Sequence, residues 1–170
     1  KTLAVEAAVR CPCKQCQEKV ANVFHSLGGT RLNLCEHVKA IDDFEQSKKI
    51  HVELGDRDGE AAVLQNLGHC YLSLEQYEKA MEVLEQSLAV YEELSNKSEQ
   101  AITLWFLGRC LSGHRQHDRA VSCLRRAWAI SQDLKDDVKV MQPVRAGIAM
   151  WLGQARWAQA RAGHCRIPSD

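Results

Sequence analysis

The sequence lacks the marks of a membrane or secreted chain. No apolar run approaches the roughly 18–20 residues that cross a bilayer, and the first residues, KTLAVEAAVR, lack the layout of a signal peptide. The eight cysteines are scattered, mostly within apolar helical patterns, whereas secreted disulfide frameworks are short and loop-rich. These absences favour a reducing, cytoplasmic compartment. Because the chain does not begin with methionine, we also expect it to be a piece of a longer protein.

Signatures of catalysis are missing as well. The seven histidines form no His-Glu-x-x-His pair, no glycine-rich phosphate loop occurs, and no serine is flanked as in a nucleophile elbow. The sequence therefore predicts a protein that is not an enzyme and that uses no cofactor.

Net charge is absent too, but the charges are distributed unevenly. The basic and acidic counts are six and three in residues 1–40, five and fourteen in 41–100, and eleven and five in 101–170, which gives +3, −9 and +6. The acidic middle argues against nucleic-acid binding. The basic end is suited to an acidic protein partner, through a cluster of Arg115, Arg119, Arg125, Arg126, Arg145, Arg156 and Arg161.

What the sequence does contain is a repeat with an offset of 40 residues. Positions recur as Leu-Gly, Ala, a large apolar residue, a small residue and a closing Leu. Within each unit the apolar residues fall three or four apart, which is the spacing of helices, and no strand-like alternation competes with it. Each unit is therefore predicted to be a hairpin of two helices. The recurring residues are Leu27-Gly28, Leu67-Gly68 and Leu107-Gly108; Ala40, Ala80 and Ala120; Phe44, Leu84 and Leu124; Ser47, Ser87 and Ala127; and Leu54, Leu94 and Leu134.

The recurring glycine needs a reason, because glycine inside a helix costs about 1 kcal/mol relative to alanine. We expect Gly68 to let the small Ala80 of the second helix approach the backbone closely. The polar segments GDRDGE (55–60) and SNKSEQ (95–100) are predicted to separate the units. A fourth Leu-Gly, at Leu152-Gly153, arrives five residues late, after an insertion that contains Pro143. It predicts a closing helix from about Val144 to Arg161.

These positions resemble the tetratricopeptide repeat, in which small, aromatic and alanine positions recur in this order. The 40-residue period, longer than the usual 34, and the linker GDRDGEA resemble the long-helix subtype of kinesin light chains and spindle-orientation adaptors. The resemblance implies an all-α, right-handed α-solenoid of antiparallel helical hairpins. Its parts would be the tail of a preceding helix and a cysteine-rich linker (1–14), units at 15–54, 55–94 and 95–134, a linker and closing helix (135–163), and a tail (164–170).

The resemblance also implies a function: a non-catalytic adaptor or scaffold that binds a peptide or helix of another protein. The first helices would line a concave groove, with residues facing it at i, i+3 and i+7. The indole of Trp105 has two readings, groove or core, because helix phase read from sequence can be off by one residue. The predicted groove residues are Asn22, His25, Gln65, His69, Leu72, Ile102, Trp105, Arg109, Met150, Gln154 and Trp157.

Family members that grip acidic chaperone tails use a clamp of Lys, Asn and Arg in this groove. Of the residues at those positions, which include Gln65, His69 and Trp105, only Asn66 fits. Binding of chaperone tails is therefore not expected.

The segment CPCKQC (11–16) suggests a second function, a zinc- or redox-responsive module. Zinc sites need four convergent ligands, typically two Cys-x2-Cys pairs, and only one such pair is present here. Cys35 with His37, or His25, would have to complete the set of Cys11, Cys13 and Cys16. We favour loop cysteines without a metal, and we expect Cys70 and Cys110 to be small buried hydrophobes.

Overall fold

The computed structural model describes residues 13–134 and 138–164. This part of the chain contains helices and no strand, which confirms the predicted all-α fold. Their bounds are α1 Lys14–Asn33, α2 His37–Leu54, α3 Arg57–Ser73, α4 Tyr77–Glu93, α5 Lys97–Gly113, α6 His117–Asp133 and α7 Val138–His164. Among these helices none has the length and apolar character that a membrane span requires.

The helices form two layers. The first helices of the hairpins, α1, α3, α5 and α7, contact one another in sequence order, and we call them the inner layer. The second helices, α2, α4 and α6, which we call the outer layer, pack their backbones closely only against the inner helices on either side of them within the described chain. Helices that are closely spaced on one side and separated on the other curve the stack, so the inner layer forms its concave side.

The connections between the helices from α1 to α6 are short turns, and each contains one residue in the left-handed backbone conformation. The N–H of the residue after each left-handed position donates to the carbonyl five residues earlier, at 2.8 to 3.0 Å, as in a Schellman motif. The segments GDRDGE and SNKSEQ each begin with the turn between two hairpins and continue into the next helix: Asp56 and Asn96 cap α3 and α5, and the residues after them are helical. The left-handed residues are Cys35, Gly55, Glu75, Ser95 and Arg115, with φ between 56 and 67°.

The hairpin crossings explain the recurring glycines, although not with the predicted partner. A Cβ on Gly68 would lie 2.4 Å from Leu84 Cγ, and one on Gly108 would lie 2.6 Å from Leu124 Cγ. Gly28 meets the Phe44 ring in the same way, at 2.8 Å. The prediction that Ala80 faces Gly68 is wrong: the glycine makes room for the large apolar residue one helical turn further on.

The closing helix is longer than predicted. It begins at Val138, so Pro143 lies inside the helix instead of ahead of it. The residues before the proline, VKVMQ, contain no glycine or other helix breaker, so nothing in them ends the helix early.

Ion pairs link the outer helices. Arg119 Nη2 lies 3.5 Å from Glu85 Oε1, and Arg126 Nη2 lies 2.5 Å from Glu92 Oε1. Both pairs join α6 to α4, so the basic third of the chain meets the acidic middle. Two arginines of the predicted cluster are thus already occupied by carboxylates of this chain.

Candidate partner-binding surface of the inner helices

At the N-terminal end of the inner layer, the structure places one predicted residue in solvent and one in a contact between helices. Asn22 is exposed. His25 is half-buried, with its Nε2 2.8 Å from Asn66 Nδ2 of α3 and its ring edge-on to Phe44. Burial lowers the pKa of His25, and the nearby His51 lowers it further. This histidine therefore joins α1 to α3 as a neutral ring more than it offers a charge to a partner.

Two predicted groove residues are not available to a ligand. Leu72 is 9% exposed and lies in the main apolar cluster. Gln65 is 8% exposed, and its Nε2 donates to Thr103 Oγ1 at 2.8 Å and to Glu99 Oε2 at 3.1 Å. Gln65 thus ties α3 to α5, and the groove assignment of both residues is wrong.

The centre of the surface is an arginine surrounded by aromatic rings. The guanidinium carbon of Arg109 lies 5.4 Å from the ring centroid of Trp105, 5.8 Å from that of Phe106 and 5.5 Å from that of Trp151. Such distances are those of cation–π contacts. Because Trp151 belongs to α7 and the other residues to α5, the closing helix completes this cluster.

Trp105 itself combines the two readings that the sequence left open. It is half-buried, stacks on Phe106 at 5.1 Å and lies against α7, where a Cβ on Gly147 would be 2.7 Å from its ring. Its Nε1 is buried with no hydrogen-bond partner in the described chain. The indole therefore packs against α7 and also contacts the guanidinium of Arg109.

Arg109 carries a positive charge without a counter-charge among the residues that the structure describes. No carboxylate of the described residues forms an ion pair with it, and its Nε is buried without a hydrogen-bond partner. Burial lowers the pKa of Arg109, as expected for a cation removed from water. His69 lies alongside, with its ring 4.7 Å from that of Phe106, and burial and then Arg109 lower its pKa. The site therefore presents one partly desolvated positive charge among apolar groups.

The remaining predicted residues extend the surface along α5 and α7. Ile102 is partly buried against the main cluster. Met150 is 54% exposed and Trp157 is 63% exposed, and Gln154 is also exposed. Arg161 lies over the Trp157 ring at 4.7 Å.

Sequence reasoning missed Phe106 and Trp151. Phe106 follows a predicted groove residue directly, and Trp151 directly precedes the Leu of the fourth Leu-Gly pair. Both residues are aromatic and lie next to recurring repeat positions, and that was the only indication in the sequence. Their position in the repeat did not predict that either would face Arg109.

The cysteines do not assemble into the alternative metal site. Cys11 lies outside the described residues. Cys13 caps α1, Cys16 is in its first turn and Cys35 follows its last turn, so the length of α1 separates Cys16 from Cys35 by about 28 Å at 1.5 Å per residue. A zinc site that combines these cysteines is excluded by that separation. In the described ranges, no group of three or more His, Cys, Asp or Glu residues is placed to hold a metal ion.

Two other cysteines behave as predicted. Cys70 and Cys110 are fully buried, and burial raises their pKa to about 11 and about 12, respectively. At neutral pH they are protonated, and a buried thiol is chemically inert.

Comparisons with known proteins agree with this architecture. Residues 19–93 match the family model described as tetratricopeptide repeat. The fold is similar to the crystal structure of BtubC (BKLC) from P. vanneervenii, with a TM-score of 0.69 and 20% identity, covering 99% of this chain and 75% of that one. It is also similar to a putative kinesin light chain from Podosopora anserina with nearly identical TPR-like repeats. For the Q17M form of that protein, the TM-score is 0.65 and the identity 18%, covering 96% of this chain and 88% of that one. No curated protein sequence matches the chain.

Proposed function

We propose that the chain, which matches the tetratricopeptide repeat over residues 19–93, is a non-catalytic adaptor or scaffold that binds a segment of a partner protein along its inner layer. Repeats of this family are generally protein–protein interaction modules. A stack of hairpins provides an extended concave surface for such a segment. The inner layer also carries exposed residues of the types that are enriched at interfaces, namely Met150 and Trp157.

Arg109 is the observation that carries this proposal. The Arg109 guanidinium is partly desolvated, forms no ion pair with a described carboxylate, and leaves the hydrogen-bonding capacity of its Nε unused. A carboxylate from outside would restore what burial removed, and the surrounding rings would strengthen the attraction by excluding water. We therefore infer an acidic side chain in the partner segment, which is a peptide or a helix, at the position of Arg109.

The test uses two charge reversals with the same net effect. Arg109→Glu changes the inner layer, whereas Arg126→Glu changes the outer layer by the same two charge units. Tagged forms of the 170-residue chain are used as baits, and the captured proteins are quantified against the unchanged chain, after thermal melts have shown that both variants fold.

We expect a set of proteins that is lost with Arg109→Glu and retained with Arg126→Glu. If both variants lose the same proteins, or neither loses any, the assignment of the binding surface to the inner layer is wrong.

A further inference from the structure

A second positively charged site lies at one end of the stack, away from Arg109. It is a cleft of about 580 Å³ between the C-terminal ends of α5 and α7 and the turn into α6. Among the described residues, its lining contains no carboxylate. The lining residues are Ser112, Gly113, Arg115, His117, Trp157, Ala158 and Arg161.

The positive charges of the cleft are not neutralised by the described part of the chain. Arg115 occupies the left-handed position of the α5–α6 turn, with φ 61°, and forms no ion pair there. Arg161 lies over the Trp157 ring at 4.7 Å and likewise has no described carboxylate partner. The Nδ1 of His117 is buried without a hydrogen-bond partner. The nearest acid in sequence, Asp118, is exposed and does not line the cleft.

The corresponding place one repeat earlier is closed, which shows why the cleft exists. There the Tyr77 ring fills the space against Gly113, where a Cβ would be 2.4 Å from the ring. Glu78 Oε1 also lies 3.2 Å from His114 Nδ1. One repeat later, His117 stands at the Tyr77 position and Arg115 at the Glu75 position. The smaller ring of His117 leaves space at the position where Tyr77 packs, and Arg115 brings a positive charge to the lining. Asp118 stands at the Glu78 position but does not line the cleft.

We propose that this cleft binds a phosphate monoester carried by a side chain of a partner protein. A carboxylate brings one charge, which one arginine satisfies. A phosphate monoester brings close to two charges and three acceptor oxygens at neutral pH, which suits two guanidinium groups from separate elements. Trp157, 63% exposed, supplies an apolar wall for the residue that bears the phosphate. The proposal stands apart from the role of Arg109, because Arg109 does not line the cleft.

The experiment titrates the 170-residue chain with blocked O-phosphoserine, blocked glutamate and inorganic phosphate, and follows the Trp157 indole and His117 ring signals by NMR. We expect blocked phosphoserine to shift both signals and to bind more tightly than either of the other two probes. If blocked glutamate binds as tightly, the cleft is a carboxylate site and the proposal is wrong. If inorganic phosphate binds as tightly, the cleft recognises the free ion and no partner side chain is involved.

Variants assign the binding to the cleft. Arg115→Gln and Arg161→Gln each remove one charge-assisted contact, so we expect phosphoserine to bind at least about tenfold more weakly to each. Arg125→Gln removes the same charge from an exposed position of α6 outside the cleft, and we expect a change of less than about twofold, within the screening of distant charges. Equal weakening by Arg125→Gln would show that general electrostatic attraction, not a built site, binds the probe. Unchanged affinity in both cleft variants would also overturn the proposal.

Discussion

The arginines of the outer and inner layers have opposite surroundings. Arg126 and Arg119 on α6 are exposed and are paired with Glu92 and Glu85 of α4. Arg109 on α5 is half-buried among three aromatic rings and is paired with no described carboxylate. The two outer charges form ion pairs within the fold, whereas the inner charge forms none with the described residues, and we propose that a partner supplies its counter-charge. Counts of charged residues do not reveal this difference, because it depends on which layer each arginine occupies.

The largest expected effect comes from disturbing the contact between the two layers. Ala80 of the outer helix α4 is fully buried, and its side chain has no room to grow. Ala80→Leu should overpack this contact and lower the free energy of unfolding by about 1–3 kcal/mol or more. Because each hairpin buries its apolar face against the next, the inner surface should be damaged together with the fold. Urea denaturation measures this loss, and a change below about 0.5 kcal/mol would contradict the packing described here.

Two glycines of the inner helices differ in whether a neighbouring helix packs against them. Gly68→Ala would place a Cβ 2.4 Å from Leu84 Cγ, so we expect a loss of about 1–3 kcal/mol despite the better helix propensity of alanine. Gly153→Ala meets no described atom within 4 Å and should gain about 0.5–1 kcal/mol. Thermal and urea unfolding of the two variants compares them directly. Changes of the same sign at both positions would show that the crossing does not decide the effect.

The arginines themselves give a smaller and more specific contrast. Arg109→Met keeps a long apolar side chain but removes a partly buried charge, so stability should be unchanged or slightly raised. Arg126→Met removes an exposed ion pair and should lower stability by about 0.2–1 kcal/mol, a loss that high salt reduces. Urea titrations at low and high salt measure both effects. A clear destabilisation by Arg109→Met would mean that the inner arginine serves the fold.

The smallest effect concerns pH and the inner layer. Burial and the nearby Arg109 lower the pKa of His69 in the folded protein, so the unfolded chain takes up its proton more readily. Stability should therefore fall as the pH falls through the ordinary histidine value of about 6.5. His69→Gln should make the unfolding free energy less dependent on pH between about 7.5 and 5.5. An identical pH dependence in the variant and the unchanged chain would contradict this role of His69.

Repetition explains why so much of the fold could be predicted. The same apolar pattern occurs in three units, so an ambiguous position in one unit can be interpreted from the equivalent positions in the other two. The wrong predictions concern features that the repeat does not determine. Pro143 and the longer start of α7 occur once. The depth of Gln65 and the partner of Gly68 depend on helix rotation, since one residue of phase is about 100° and moves a side chain from groove to core.

The candidate site was predicted only in part, for a related physical reason. The groove position of Met150 stays a prediction, and the surroundings of Arg109 come from α5 and α7 together. The angle at which α7 meets α5 is a property of packed side chains, and a linear pattern does not contain it. The contact of Trp151 with Arg109 could therefore not be predicted from the sequence pattern.

The most direct test of binding along the inner layer is photo-crosslinking from two exposed apolar positions. A benzophenone side chain replaces Met150 on α7, which is 54% exposed, or Trp128 on α6, which is 36% exposed. With the proteins captured in an Arg109-dependent manner, we expect crosslinks from position 150 and none above background from position 128. Crosslinks from position 128 alone, or equally from both positions, would contradict binding along the inner layer.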